Sequence, residues 1–337
     1  MIKGMGQYDA PLPCPAAALM RRLSTRGNQL TARDASSEQP VRLRGVNRSS
    51  FQYLPSLRDS GMEDPAAELA LWSELWNVDI IRFPVFPDRY LREAEHRAEL
   101  DQVVLAAASA GIYLILEFHG IQSNYQIGEP TAEALPGWQA FARRYGGLNH
   151  VAFDLWNEPH DLSWGRWQRA AQGLVDAIRA EGATETLIVV GGLDWAYDLS
   201  PLADPRSRLE GQGPLCYATH PYPFKGGPAH GPQQWEQRFG EVARTLPVLV
   251  TEFGADGEGD PFFKDDAAAA AWVESLLAYV DERGLTALAW SGGDRPHLTL
   301  GRDGGRVQSP RNPPDLRQPS AFGQIVQRWL RQPAPPR

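Results

Sequence analysis

Apolar runs recur eight times along the chain, at residues 41–47, 78–85, 112–119, 151–157, 186–192, 215–220, 247–253 and 285–291, with centres about 35 residues apart. Runs with little polar alternation are what strands covered on both faces require. Between them lie stretches with helical spacing, clearest at residues 65–76, 97–110, 164–180, 233–244 and 265–283. The last opens on Asp265-Asp266, a helix start, and closes on Arg283-Gly284, a helix stop. Links of this length exceed a hairpin turn, so the strands are predicted to be parallel. Eight such units make an α/β fold, a closed (β/α)8 TIM barrel. An open doubly wound sheet is the rival, but it carries a glycine-rich phosphate loop after its first strand. Here that strand ends Arg44-Gly45-Val46-Asn47, with no such loop.

The 337 residues suit one large barrel or two modest domains. No Ser/Gly/Pro linker divides them, so residues 1–20 read as an N-terminal tail, 21–330 as one domain and 331–337 as a fraying C-terminal tail. Residues 23–31 alternate around Gly27-Asn28 and predict a short hairpin that plugs the barrel floor. The net charge of −8 argues against a nucleic-acid or anionic-membrane partner, since both call for a basic patch. No apolar run reaches the length of a membrane span. Residues 1–20 lack the apolar core of a secretory signal, so the chain reads as cytoplasmic, or as secreted if an export signal lies outside it. Cys14 and Cys216 are expected to be free thiols, and the protein a monomer.

Side chains at the C-terminal ends of barrel strands open on the catalytic face. Six of the eight strands end in polar or aromatic chemistry: Arg82 on the second, His119 on the third, Asn157-Glu158 on the fourth, His220 with Tyr222 on the sixth, Glu252 on the seventh and Trp290 on the eighth. Alternation counted back from Glu252 puts Val250 and Val248 on its face, as filling of the barrel interior, and the same parity turns Glu158 inward. Two carboxylates facing one mouth, without a nucleotide motif, suggest glycoside hydrolysis. Two like charges so close do not both ionise easily: one becomes the acid, while Arg82 holds the other ionised.

These residues resemble glycoside hydrolase family 5, the cellulase family of clan A. The motifs that carry the likeness are Arg44-Gly45-Val46-Asn47, Arg82 before Pro84, His119, Asn157-Glu158-Pro159, His220-x-Tyr222, Glu252-Phe253-Gly254 and Trp290, in order over nearly the whole chain. The resemblance implies an endo-acting, retaining β-1,4-glucanase working through a covalent glycosyl-enzyme, with a β-linked oligo- or polysaccharide as its partner. Glu158 would be the acid/base and Glu252 the nucleophile. Asn157 would hold the sugar 2-hydroxyl, Arg82 and Tyr222 the nucleophile, His119 and His220 would line the site, and Trp290 would be its stacking floor. It further implies a carboxyl separation of roughly 5 Å, against roughly 6.5–9.5 Å for inversion, and a cis bond between Trp290 and Ser291. A β-mannanase or another β-glucan hydrolase would share these positions.

Of the 11 tryptophans, Trp156, Trp164, Trp195 and Trp235 fall in or near loops and are candidate sugar platforms, whereas Trp72, Trp76, Trp272 and Trp329 read as helix packing. Glu117 and Asp154 share the inward parity and could pair with Arg82, tune Glu158, or sit as core acids satisfied by backbone and neighbours. The loop of residues 48–63, with Phe51, Tyr53 and Leu57, is expected to wall the cleft. No metal or cofactor is expected. Two other classes stay open: a metal-dependent hydrolase using His119, Glu158 and His220 as zinc ligands, and a sugar-binding barrel without turnover.

Overall fold

The computed structural model describes residues 10–332 except 123–124, 212, 226–230, 256–262 and 264. Eight parallel strands close into a barrel: β4 (Arg44–Asn47), β5 (Ile80–Val85), β6 (Tyr113–Phe118), β9 (Val151–Asp154), β10 (Ile188–Gly191), β11 (Leu215–Thr219), β12 (Val248–Val250) and β13 (Thr286–Ala289), the last pairing with the first. Under them lies an antiparallel sheet of β1 (Arg22–Arg26), β2 (Gln29–Arg33) and β3 (Glu38–Pro40). Its first turn is the Gly27-Asn28 pair, Gly27 taking φ +61°, so the predicted floor hairpin is present with one strand more. Two small ribbons stand apart, β7 (Ile121–Gln122) with β8 (Tyr125–Gln126), and β14 (Thr299–Gly301) with β15 (Pro314–Pro319).

The connecting helices are α1 (Pro65–Trp76), α2 (Pro87–Arg92), α3 (Ala94–Ser109), α4 (Ala134–Tyr145), α5 (Trp164–Ala180), α6 (Pro232–Trp235), α7 (Glu241–Ala243), α8 (Asp266–Arg283) and α9 (Ala321–Arg331). α1 is bounded by its own chemistry: the Asp64 carboxylate accepts from the N–H groups of Ala66 and Ala67, Pro65 holds the first position, and Asn77 ends the helix at φ +58°. The helix expected over 233–244 is interrupted by a π turn at Glu236–Gly240, between α6 and α7. Between β10 and β11 no α-helix forms among the described residues; two 3-10 turns, Ser200–Ala203 and Pro205–Ser207, take its place.

The interior of the barrel follows strict alternation. Leu43, Ile80, Ile115, Ala152, Val189, Cys216, Leu249 and Leu288 form one apolar layer with Leu23, Leu30 and Ala32 of the floor sheet. Val248 and Val250 instead join the larger core between strands and helices. This corrects the parity expected around Glu252: Leu249 and Thr251 face inward, and Glu252 lies beyond β12, where the ladder no longer dictates direction. Gly45 faces this interior, where a Cβ would stand 1.9 Å from the Ile80 carbonyl oxygen, so only glycine lets β4 and β5 meet there.

Residues 10–20, read from sequence as part of a tail, are docked: the Leu12 N–H donates to the Arg144 carbonyl at 2.8 Å, and Leu12 and Ala17 are buried. Of residues 331–337, expected to fray, Arg331 instead closes α9, while 333–337, like 1–9, lie outside the described residues. Cys14 and Cys216 are free thiols. No described helix is long and apolar enough to cross a membrane.

The floor sheet closes the apolar layer, so Leu30→Ala should cost about 2–5 kcal/mol. Leu19→Ala, at a side chain 89% exposed, should cost under about 0.5 kcal/mol. Urea denaturation of the two variants checks the contrast.

Candidate active site

Above the apolar layer the same inward positions turn polar. Two residues up the strands come Arg82, Glu117, Asp154 and Thr251, with Asn47 beside them above Gly45, all buried. Arg82 is fully buried and addresses five groups. Its Nε donates to Asp154 Oδ2 at 2.8 Å, Nη1 to Glu252 Oε1 at 2.7 Å and to Asn47 Oδ1 at 3.2 Å, and Nη2 to Asn157 Oδ1 at 2.8 Å. Glu117 Oε2 lies 3.6 Å from Nη2. Burial alone would lower the basicity of this guanidinium, but the carboxylates of Glu117, Asp154 and Glu252 raise it above its ordinary value. Of the readings of Glu117 and Asp154, pairing with Arg82 is the one the structure shows.

Glu252 projects from the end of β12. Its Oε1 receives the Arg82 bond and its Oε2 accepts from the Tyr222 hydroxyl at 2.9 Å. Both oxygens are thus engaged by donors that favour the ionised form. Glu158 follows β9 in a turn where its own φ is +49°, a left-handed conformation sparse for a residue with a side chain. Its carboxylate meets His220 Nδ1 at 3.0 Å. A carboxylate oxygen of Glu158, one of Glu252 and a ring nitrogen of His220 all lie within 4.8 Å of one another. Glu158 is 13% exposed against 5% for Glu252, so it is the more open of the two to solvent. Burial raises both carboxyls above their ordinary range; Lys225 opposes this at Glu158, and Arg82 at Glu252.

His220 bridges Glu158 to Thr251, whose Oγ1 is 2.9 Å from Nε2. Burial pushes this imidazole down to about 3. A neutral ring has one N–H, so with Nδ1–H donating to Glu158, Nε2 accepts the Thr251 hydroxyl proton. His119 pairs with Glu117 through Nδ1 at 3.3 Å and with the Tyr53 hydroxyl through Nε2 at 3.1 Å. Burial works against its charged form, but Glu117 and Glu252 raise it overall. Trp290 closes the eighth strand, its Nε1 donating to the Arg295 carbonyl at 3.1 Å, and the Trp290–Ser291 bond is cis.

The eight positions expected to form the site, Arg82, His119, Asn157, Glu158, His220, Tyr222, Glu252 and Trp290, therefore converge on one mouth. The platforms do not all follow. Trp156 is 1% exposed with its Nε1 bonded to the Ile127 carbonyl, and Trp235 is fully buried edge-on to Trp272 and Tyr279, so neither offers a face to a ligand. Trp164 is half-buried, its Nε1 bonded to the Ser207 carbonyl. Trp195 is 38% exposed. It is displayed by three successive left-handed residues, Asp194, Trp195 and Ala196, and stacks on His160 at 4.6 Å. In the wall of residues 48–63, Phe51 and Leu57 are buried anchors while Tyr53 stands exposed at the mouth.

Sequence reasoning missed Thr251, Phe224 and Lys225. Lys225 Nζ donates to the Asp194 carbonyl at 3.0 Å and lies 4.4 Å over the Trp195 ring. A signal existed, for only three of the 33 basic Lys and Arg residues are lysines. Glu158, His220 and Glu252 could present ligand atoms to a cation. Both Glu252 oxygens, however, already accept from Arg82 and Tyr222, and the guanidinium places positive charge where an ion would sit.

The sequence model described as cellulase (glycosyl hydrolase family 5) matches residues 35–295. The major extracellular endoglucanase of Xanthomonas campestris pv. campestris is 30% identical over 221 residues, 55% of this chain and 44% of that protein. Endoglucanase A of Evansella cellulosilytica is 25% identical over 263 residues, 75% of this chain and 49% of its own length. The chain spans about half the length of these curated relatives. Among solved structures, the β-glucanase SdGluc5_26A of Saccharophagus degradans, in complex with cellotetraose, superposes with a TM-score of 0.76 at 22% identity, covering 95% of this chain and 96% of that one. The catalytic domain of Thermobifida fusca endoglucanase Cel5A gives 0.72 at 20% identity, covering 94% and 99%.

The depressed His220 carries a pH consequence. Between its ordinary 6.5 and about 3, the unfolded chain binds a proton that the folded one refuses. This contribution to stability is complete above pH 6.5 and is lost as pH falls toward 3. Imidazole NMR should show His220 neutral throughout that interval, with His220→Gln removing part of the acid-side decline in Tm.

Proposed function

The chain belongs to the cellulase family, glycosyl hydrolase family 5, and on that premise we propose that it is a retaining endo-β-1,4-glucanase. The observation that carries this reading is the pair Glu158 and Glu252, with oxygens within 4.8 Å at the barrel mouth and with unlike partners. Retention needs carboxyl groups roughly 5–5.5 Å apart, whereas inversion needs roughly 6.5–9.5 Å to admit water between them. The pair is on the close side of that divide.

Glu252, ionised between Arg82 and Tyr222, attacks the anomeric carbon. Glu158 protonates the departing glycosidic oxygen, and a covalent glycosyl-enzyme forms on Glu252. The same Glu158, now a base, takes a proton from the water that releases the sugar. His220 favours neither form by charge, since it is neutral, and orients the Glu158 carboxyl through Nδ1. Asn157 Nδ2, which makes no hydrogen bond among the described residues, is placed for the sugar 2-hydroxyl. Trp290 floors the reacting sugar, and Tyr53, Trp195 and Phe224 supply aromatic surface at the mouth. The barrel, with the docked residues 10–20 and α9, forms the one catalytic domain. Relatives named endoglucanase and a neighbour holding cellotetraose support a β-glucan as substrate.

Carboxymethyl-cellulose, lichenan, laminarin and mannan assayed side by side test the proposal. Viscosity of carboxymethyl-cellulose should fall ahead of reducing-end release, and mannan should be the poorer substrate. Glu158→Gln and Glu252→Gln should each lower kcat by about 10²–10⁴-fold or more. NMR should find the newly formed end first as the β-anomer; an α-anomer would overturn the retaining mechanism. Wild type and both variants acting alike on every polymer would overturn the activity itself.

A further inference from the structure

Below the mouth one guanidinium faces three acids. Glu117 and Asp154 are register partners on the adjacent parallel strands β6 and β9. Both point into the barrel and are 0% and 1% exposed. Neighbouring strands run about 4.8 Å apart, so two in-register side chains on one face are in contact range. Each acid spends one oxygen on a base: Asp154 Oδ2 on Arg82 Nε, and Glu117 Oε2 on Arg82 Nη2 and His119 Nδ1. The other oxygen of each, Glu117 Oε1 and Asp154 Oδ1, is buried without a hydrogen-bond partner.

Two ionised carboxylates in this position would leave two orphaned acceptors and a like-charge pair in a dry interior, both costly. The surroundings leave both inner oxygens unmet. β5 offers Arg82, already shared with Glu252 beyond β12. β6 offers His119, β4 the uncharged Asn47, and β10 the apolar Val189. β11 offers Cys216, a thiol that burial keeps neutral, and His220, also neutral.

We propose that Glu117 and Asp154 hold one proton between their inner oxygens, and that Asp154 is thereby a positioning residue that leaves Arg82 to serve Glu252. The Asp154 O–H donates to Glu117 Oε1, and both orphaned oxygens are satisfied. As pH rises the proton passes to water and no other bond is made or broken. Asp154 then competes with Glu252 for the one guanidinium. Burial, with Glu117 adding to it and Arg82 opposing, pushes Asp154 up to about 7, in keeping with a proton held to neutrality. The catalytic consequence rests on Glu252 being the nucleophile.

Asp154→Asn is an isostere of the protonated acid: its Oδ1 accepts from Arg82 and its N–H donates to Glu117. Infrared spectra of the wild type should contain a protonated-carboxyl C=O band below about pH 7 that fades above it, is absent from Asp154→Asn and persists in Glu158→Gln. The sign for stability follows from the raised value: the contribution is complete below 3.8 and is lost as pH rises through about 7. Asp154→Asn should therefore flatten that decline in Tm. It should also keep kcat at acidic pH while its alkaline limb moves to higher pH. A uniform loss of kcat at every pH, or a band that survives in Asp154→Asn, would overturn the proposal. If that variant does not fold, the wild-type band and its loss in Glu117→Gln decide the matter. A protein inactive on every glucan but showing the band would sink the glucanase reading and leave the shared proton standing.

Discussion

Everything at the mouth of this barrel is arranged around the buried charge of Arg82. An arginine with no exposure is tolerable only where its donors are met, and here they reach Asn47, Asp154, Asn157 and Glu252. Those partners come from β4, β9, the turn after β9 and the end of β12, so the bonds of one side chain span the barrel. Removing one partner of a buried pair typically costs about 3–5 kcal/mol, because the other charge is left uncompensated. The guanidinium is therefore both a strut and an electrostatic source. It fixes Glu252 in place and biases that carboxyl toward the charged state that the proposed nucleophilic attack requires.

The second carboxyl is held by a different logic. Glu158 has no arginine; it has a neutral imidazole, itself oriented by Thr251, and some exposure to solvent. Two acids of the same kind, both raised by burial, are thus given unlike company. One is gripped on both oxygens by donors, while the other meets a single imidazole and keeps an opening to solvent. That asymmetry, more than the distance between them, supports the separate roles proposed for the pair.

Legibility in the sequence varied with how local the governing physics is. The spans of α1 and α5 are read directly, because caps and apolar spacing are properties of neighbouring residues. The floor hairpin is legible from Gly27-Asn28 for the same reason. The interior face of β12 was misread by one residue. Alternation holds only while the ladder lasts, and Glu252 lies past its end. Trp156 and Trp235 sit near loops in sequence yet are buried in space, since exposure is set by what packs on top and not by the element a residue belongs to.

By itself the sequence determined the repeat that closes into a barrel, which strand ends carry polar side chains, and hence the ring of eight residues at one mouth. Those follow from periodicity, which is a one-dimensional property. Only the tertiary structure decided the company each group keeps: that Arg82 rather than solvent neutralises Glu252, that Glu117 and Asp154 meet across adjacent strands, and that Trp195, displayed on a left-handed turn, is exposed while Trp156 is not. Distances of a few ångströms between residues more than a hundred positions apart have no counterpart in local pattern. They arise from the closure of the sheet, which brings every strand end to the same opening.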